Sequence, residues 1–334
     1  MNRILILCIL KNKKGRTTAL GFERLHHPTI CQNMKSTRTR FLLGVGILVL
    51  ANIGFSSKAV IIKLMYRYDV DTYSVIALRM IFSLPFYIVI AWWLNRRETN
   101  VKLTLREWFA VSGLGVLSYY ISSTLDFLGL QYITAGMERL TLYLYPTIVL
   151  ILSAFFFKKK ITTPQYIAIL LTYLGIALAF VAEHGVGEQK NAWLGTALVF
   201  SAACTYSVYV VLTGEYVHKI GSAKFTCYAM IAATVPALIQ SGLHNGIDIF
   251  HYPMPVYMLT AYMVLVATVL PTFMIVEGIR LVGANNSGII GAVGPISMIG
   301  LASVFLGEQI TVLQLVGTAI VLAGVLLITW KGRF

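Results

Sequence analysis

The chain has 334 residues, of which 57% are hydrophobic and only 12% charged, with a formal net charge of +14. Soluble domains carry about 25% charged residues. Apolar blocks long enough to cross a bilayer recur along nearly the whole length, which excludes a soluble fold. The cations sit in short loops and tails rather than on one face, so the positive balance reflects membrane topology, and no nucleic-acid partner is expected.

The first 33 residues read differently from the rest. Ile4–Leu10 is apolar but too short to span, and no small-residue cleavage site follows it. Met34 opens "MKSTRTRFLLGVGILVL", a basic start running straight into a span. The natural start is therefore expected at Met34, with residues 1–33 a mis-assigned start or a disordered tail. Cys8 and Cys31 fall in that tail, while Cys204 and Cys227 fall in apolar segments. This is neither a disulfide framework nor a metal-ligand spacing, and no metal or cofactor is expected.

Ten spans follow in chain order: 41–66, 72–94, 107–130, 135–157, 164–182, 193–213, 223–242, 256–279, 286–306 and 311–330. The expected class is an all-α polytopic membrane protein. Proline punctuates several spans, at Pro85, Pro146, Pro236, Pro271 and Pro295. With a cytoplasmic N-terminus, the inside would hold Lys35, Arg38, Arg40, Arg96, Arg97, Lys102, Arg106, Lys158 to Lys160, Lys219, Lys224, Arg280, Lys331 and Arg333. The outside would hold only Arg67 and Lys190. The asymmetry puts both termini in the cytoplasm and the chain in the cytoplasmic (inner or plasma) membrane.

The chain also resembles itself. Shifted by 149 residues, Gly129–Leu178 lies on Gly278–Leu327 without a gap, with Pro146/Pro295, Gln165/Gln314 and Gly175/Gly324 among ten identical pairs. The shift moves five spans, an odd number, so the copies face opposite ways. The expectation is two inverted five-helix repeats, 41–182 and 193–330. Such repeats build transporters that hold substrate near the midplane, between halves that open in turn.

The segments "KAVIIKLM…ALRMIF" (Lys58–Phe82), "FLGLQYITAG" (Phe127–Gly136), "LYPTIVLILSAFFFKKKIT" (Leu144–Thr162) and "GPISMIGLASVFLGEQITVLQLVGTAIVLAGVLL" (Gly294–Leu327) resemble the EamA-type family of the drug/metabolite transporter superfamily. The last is the most specific, with a proline in the ninth span, Leu-Gly-Glu at its end, then Thr, Gln and two glycines. The resemblance covers about residues 40–330. It implies a secondary transporter, commonly an exporter of amino acids or other small metabolites. One departure stands out: the Gly-Glu usual between spans four and five is here Lys158-Lys159-Lys160.

Polar residues within spans are the candidate site. Lys58, beside Ser56 and Ser57, either lines a cavity, binding a carboxylate or carrying a proton, or snorkels to the interface. Arg79 offers either an interhelical bond to a carbonyl or a site role. Tyr119, Ser122, Ser123 and Asp126 share one face at i, i+3, i+4 and i+7 of a regular helix. They read as a cavity lining or as helix packing through the serines. Tyr145 lies near mid-depth beside Pro146; Tyr143 points to another face, so only one of the two tyrosines lines a cavity. Pro146, Pro271 and Pro295 are expected kinks. Tyr206 with Ser201, Thr205 and Tyr209 in span six, Thr272 in span eight, and Ser297 in span nine complete a polar, aromatic-walled cavity.

Glu138 and Arg139 sit in the first turn and a half of span four, where they form a charged rim and gate or anchor the helix at the interface. Protons are a candidate coupling ion, through Lys58, Asp126 and Glu138. Glu277 and Arg280 make a local i, i+3 pair.

All six histidines fall in the tail or loops, and there is no HExxH, Gly-x-Ser-x-Gly or Walker loop. An enzyme is therefore disfavoured. A flippase for a lipid-linked substrate on the same fold is the nearer rival to a carrier. The expected partners are a small-molecule substrate and the bilayer, with a monomer or homodimer as the assembly.

Overall fold

A computed structural model describes residues 27–97, 103–158, 161–184, 191–246, 249 and 251–331. Residues 1–40 and 41–334 form separate compact units. The start expected at Met34 concerns the first of these, of which residues 1–26 lie outside the described residues; from His27 the chain is helical.

Every regular element among the described residues is a helix. We number them α1 (His27–Tyr66), α2 (Thr72–Arg97), α3 (Leu105–Gly115), α4 (Ser123–Leu130), α5 (Ala135–Leu142), α6 (Tyr145–Phe157), α7 (Thr163–His184), α8 (Ala192–Ile220), α9 (Ser222–Asn245), α10 (Met254–Val264), α11 (Leu270–Val282), α12 (Ala284–Gly291), α13 (Val293–Leu306) and α14 (Val312–Lys331). Helix is what lipid allows, since it satisfies each backbone group within the segment. Large apolar side chains are accordingly exposed, as at Phe155 (79%), Val304 (77%) and Leu170 (70%).

Among the described residues, eight helical stretches are long and apolar enough to cross a membrane. The expected third and tenth spans are outside that set. Leu105–Leu130 is helical throughout, but Ser118, Tyr119, Tyr120, Ser122, Ser123, Thr124 and Asp126 dilute its hydropathy. The last apolar run among the described residues, Val312–Leu327, lies within the 20-residue α14.

Local chemistry sets the helix ends. Asp71 accepts from the N–H groups of Tyr73 (2.8 Å) and Ser74 (3.1 Å) to start α2. Thr104 and Glu107 form a capping box at α3. Left-handed residues close two helices: Gly307 (φ 71°) after α13 and Lys158 (φ 53°) after α6.

Irregularities recur 149 residues apart. π-helical turns occupy Val116–Ser122, between α3 and α4, and Leu265–Val269, between α10 and α11. Helices break at Tyr143 and again at Ala292. Lys158 and Gly307 share that spacing. The α7–α14 contact is reciprocal as well. A Cβ on Gly175 would meet the Gly317 carbonyl at 2.7 Å and Val321 at 2.8 Å, while one on Gly324 would meet the Ala168 carbonyl at 2.8 Å and Thr172 at 2.4 Å. Only glycine lets the two backbones approach this closely.

Candidate functional site

The site begins with an ion pair between α1 and α4. Lys58 Nζ donates to Asp126 Oδ2 at 2.9 Å, with the side chains only 17% and 4% exposed. Phe127, next in sequence to Asp126, carries Lys58 at 5.3 Å and Arg79 at 5.0 Å from its ring centroid. Arg79 on α2 is buried and donates to the Tyr119 carbonyl at 3.0 Å and to Ser123 Oγ at 3.1 Å. The π turn makes this possible: the Ser123 N–H turns to the Tyr120 carbonyl, leaving that of Tyr119 for the guanidinium.

The same turn splits the expected polar face, because an extra residue per turn changes the phase. Ser122 is buried and donates to the Ala202 carbonyl of α8 at 2.9 Å, so it joins two helices. Ser123 meets Arg79, Asp126 meets Lys58, and Tyr119 turns toward Tyr209.

Glu138 is the second carboxylate of the site. It is 1% exposed, and no N–H or hydroxyl donor reaches either oxygen; its carboxyl faces that of Asp126, whose Oδ1 likewise meets no such donor. Asp126, Lys58 and Arg139 are the charges that bear on it. The open charged rim expected from the sequence is therefore not what Glu138 makes. A place near a helix end predicts nearness to water, but here the end itself is capped: Glu308 accepts from the N–H groups of Ala135 at 2.9 Å and Gly136 at 3.4 Å.

Arg139 is half-buried, and its Nε has no hydrogen-bond partner. Its guanidinium lies over Gly294, where a Cβ would come within 2.9 Å of Nη2. The Gly294 carbonyl accepts from Ser56 Oγ and Ser297 Oγ, both at 2.9 Å. The start of α13 is thus tied to α1 directly beside Arg139.

An aromatic wall continues from the charges. Ring centroids run from Tyr143 to Tyr145 (6.5 Å), Tyr206 (5.4 Å), Tyr209 (5.7 Å) and Tyr119 (5.9 Å). The Tyr119 and Tyr209 hydroxyls stand 3.4 Å apart. Tyr206 is 37% exposed. On a straight helix Tyr143 and Tyr145 would diverge; the break after α5 brings their rings edge to face. Tyr209, expected in the cavity lining of span six, joins Tyr206 to Tyr119 in this wall.

Other candidates are engaged locally. Thr272, Thr205 and Ser201 donate to the carbonyls of Thr268, Ser201 and Ala197, at 2.7, 2.7 and 2.8 Å. Pro146 lies in the first turn of α6 and Pro295 in that of α13, each just past a break, while Pro271 opens α11 directly after a π turn. They restart helices rather than bend them midway. Glu277 and Arg280 pair at 2.6 Å.

A cleft of about 600 Å³ opens beyond the charge cluster, lined by Lys63, Arg67, Asp71, Thr134 and Glu308 among others. Tyr66 forms part of its wall and donates to the Phe127 carbonyl at 2.8 Å, so the cleft ends against the residue that carries both cations. No group of His, Cys, Asp and Glu among the described residues could hold a metal ion.

The sequence pattern of the EamA-like transporter family matches residues 42–181 and, a second time, 193–330. The chain belongs to the EamA-like transporter family. It is a multi-pass membrane protein and a transporter. Among its EamA relatives is the uncharacterized transporter YcbK of Bacillus subtilis, 29% identical over 82% of this chain and 88% of that protein. The uncharacterized transporter sll1319 of Synechocystis is 24% identical over 87% and 94% of the two chains. A probable terminal-alkyne amino-acid exporter of Streptantibioticus cattleyicolor is 27% identical over 60% and 66%. A protein of known crystal structure superposes with a TM-score of 0.61 over 86% of this chain and 97% of its own, at 14% identity, a likeness of fold alone.

Proposed function

We propose that this EamA chain is a secondary transporter, driven without ATP, that exports small metabolites such as amino acids or amphiphilic compounds. It works as two inverted five-helix repeats that cross the cytoplasmic membrane ten times, with both termini inside, and that open a shared cavity alternately. The double family match, the repeated π turns and breaks, and the reciprocal α7–α14 contact support that architecture.

The observation that carries the substrate reading is a buried cluster with unmet capacity of both kinds. The Glu138 and Asp126 carboxyls face each other with no N–H or hydroxyl donor on Glu138 or on Asp126 Oδ1, and Arg139 Nε is an open donor. Burying such groups unmatched is costly, so a solute that completes them is favoured. An ammonium fits the carboxylates, a carboxylate fits Arg139, and the tyrosine wall takes an apolar side chain. The likeness to an amino-acid exporter agrees with this chemistry. Protons couple through Glu138, whose buried carboxylate is held near Asp126 and Lys58.

Counterflow in proteoliposomes tests the proposal: labelled amino acid should exchange against unlabelled solute without conductance. Conductance without exchange would make it a channel, and movement of lipid-linked sugars instead would make it a flippase.

A further inference from the structure

Glu308 follows Gly307 at the left-handed end of α13 and reaches to the start of α5. Three N–H groups there have no partner within their own helix. Glu308 accepts two of them, from Ala135 and Gly136, and Thr134 Oγ1 accepts the third, from Met137, at 3.1 Å. Lys63, near the end of α1, holds the same carboxylate at 3.3 Å. One turn further on, Arg67 donates to the Leu306 carbonyl at 3.3 Å. The ends of α1, α5 and α13 therefore meet on one carboxylate. Two of these helices belong to the first matched segment and one to the second.

The contact can be both strong and reversible. A carboxylate at the positive end of a helix makes charge-assisted bonds. The cleft reaches Glu308, Lys63 and Thr134, so water can replace those bonds as the helices part. The contact is also joined to the candidate site, because α5 carries Glu138 two residues after Gly136. In sequence, the residue 149 positions before Glu308 is Lys159, so the first half supplies no carboxylate at the matching position.

We propose that Glu308 is a one-sided latch: its hold on α5 and Lys63 keeps this mouth of the transporter shut and favours the state open at the opposite face. The proposal rests on the alternate opening of the two halves inferred above.

The test is thiol accessibility in the full chain with Cys8, Cys31, Cys204 and Cys227 replaced by serine. Ser297→Cys reports from below the latch, and Tyr68→Cys, at an exposed position, identifies the membrane face that carries Glu308. A membrane-impermeant maleimide is applied from each face, in whole cells and in inverted vesicles. Glu308→Gln should raise labelling of Ser297→Cys from the Glu308 face, relative to the other face, by about tenfold. Lys63→Gln, which leaves the carboxylate on α5, should shift the ratio the same way by less. If Glu308→Gln raises labelling equally from both faces, it has loosened the fold, and Lys63→Gln decides. An unchanged ratio in Lys63→Gln, or in both variants, overturns the latch. Labelling needs no substrate, so a shifted ratio in a chain that fails counterflow would sink the transport reading and leave the latch standing.

Discussion

The two helix breaks at Tyr143 and Ala292 have the same place in their segments and different chemistry. The helix before the first break carries Glu138 and Arg139; 149 residues on, the corresponding residues are Ser287 and Gly288. Geometry present in both copies belongs to the scaffold, and the charge present in one is what we propose meets the substrate. Arg139 makes the division concrete. It sits on the charged break, yet its guanidinium rests on Gly294 beside the neutral one.

The largest expected effect comes from breaking the charged side. Lys58→Ala leaves Asp126 buried without its cation, and losing one partner of a buried pair costs about 3–5 kcal/mol. A large fall in melting temperature in detergent and loss of exchange should result. Replacing the pair together, Lys58→Met with Asp126→Leu, should restore the melting temperature and leave exchange lost. Recovery of both would mean that the charges serve packing alone.

The next effect probes the shared scaffold. Gly175→Val and Gly324→Val each push a side chain into the backbone of the facing helix, and overpacking of this kind costs about 1–3 kcal/mol. Because the two contacts are reciprocal, the losses in thermal stability should agree closely. Damage in only one variant would break the equivalence. The smallest effect concerns the left-handed corner that Lys158 shares with Gly307. A side chain in that conformation costs about 1 kcal/mol, so Lys158→Gly should raise stability by somewhat less, measured by the same melting assay.

Much of this comparison was legible in the sequence. Pro146 and Pro295 at equal spacing marked the two irregularities, although as kinks rather than as the helix restarts they are. Lys58 and Asp126 stood out as charges in oil, and any buried lysine needs a partner. The π turn left no mark, because a residue pattern carries the 3.6 period only where the helix keeps it. That is why a regular period sets Tyr119 on one face with Ser122, Ser123 and Asp126. Depth was equally unreadable for Glu138: Lys58 and Asp126 bear on it from other helices, and proximity between residues so far apart in sequence leaves no local pattern. The Leu-Gly-Glu ending α13 was visible as a family feature, but not as the cap of another helix.

The most direct measurement is amino-acid counterflow by the unaltered protein, Glu138→Gln and Ser287→Ala, reconstituted side by side. Glu138→Gln should exchange at least about tenfold more slowly with its melting temperature unchanged, the size of effect expected when a transported group loses a buried charged partner. Ser287→Ala, at the neutral counterpart, should exchange at the unaltered rate. Equal rates in all three would contradict the assignment of the charged break to substrate.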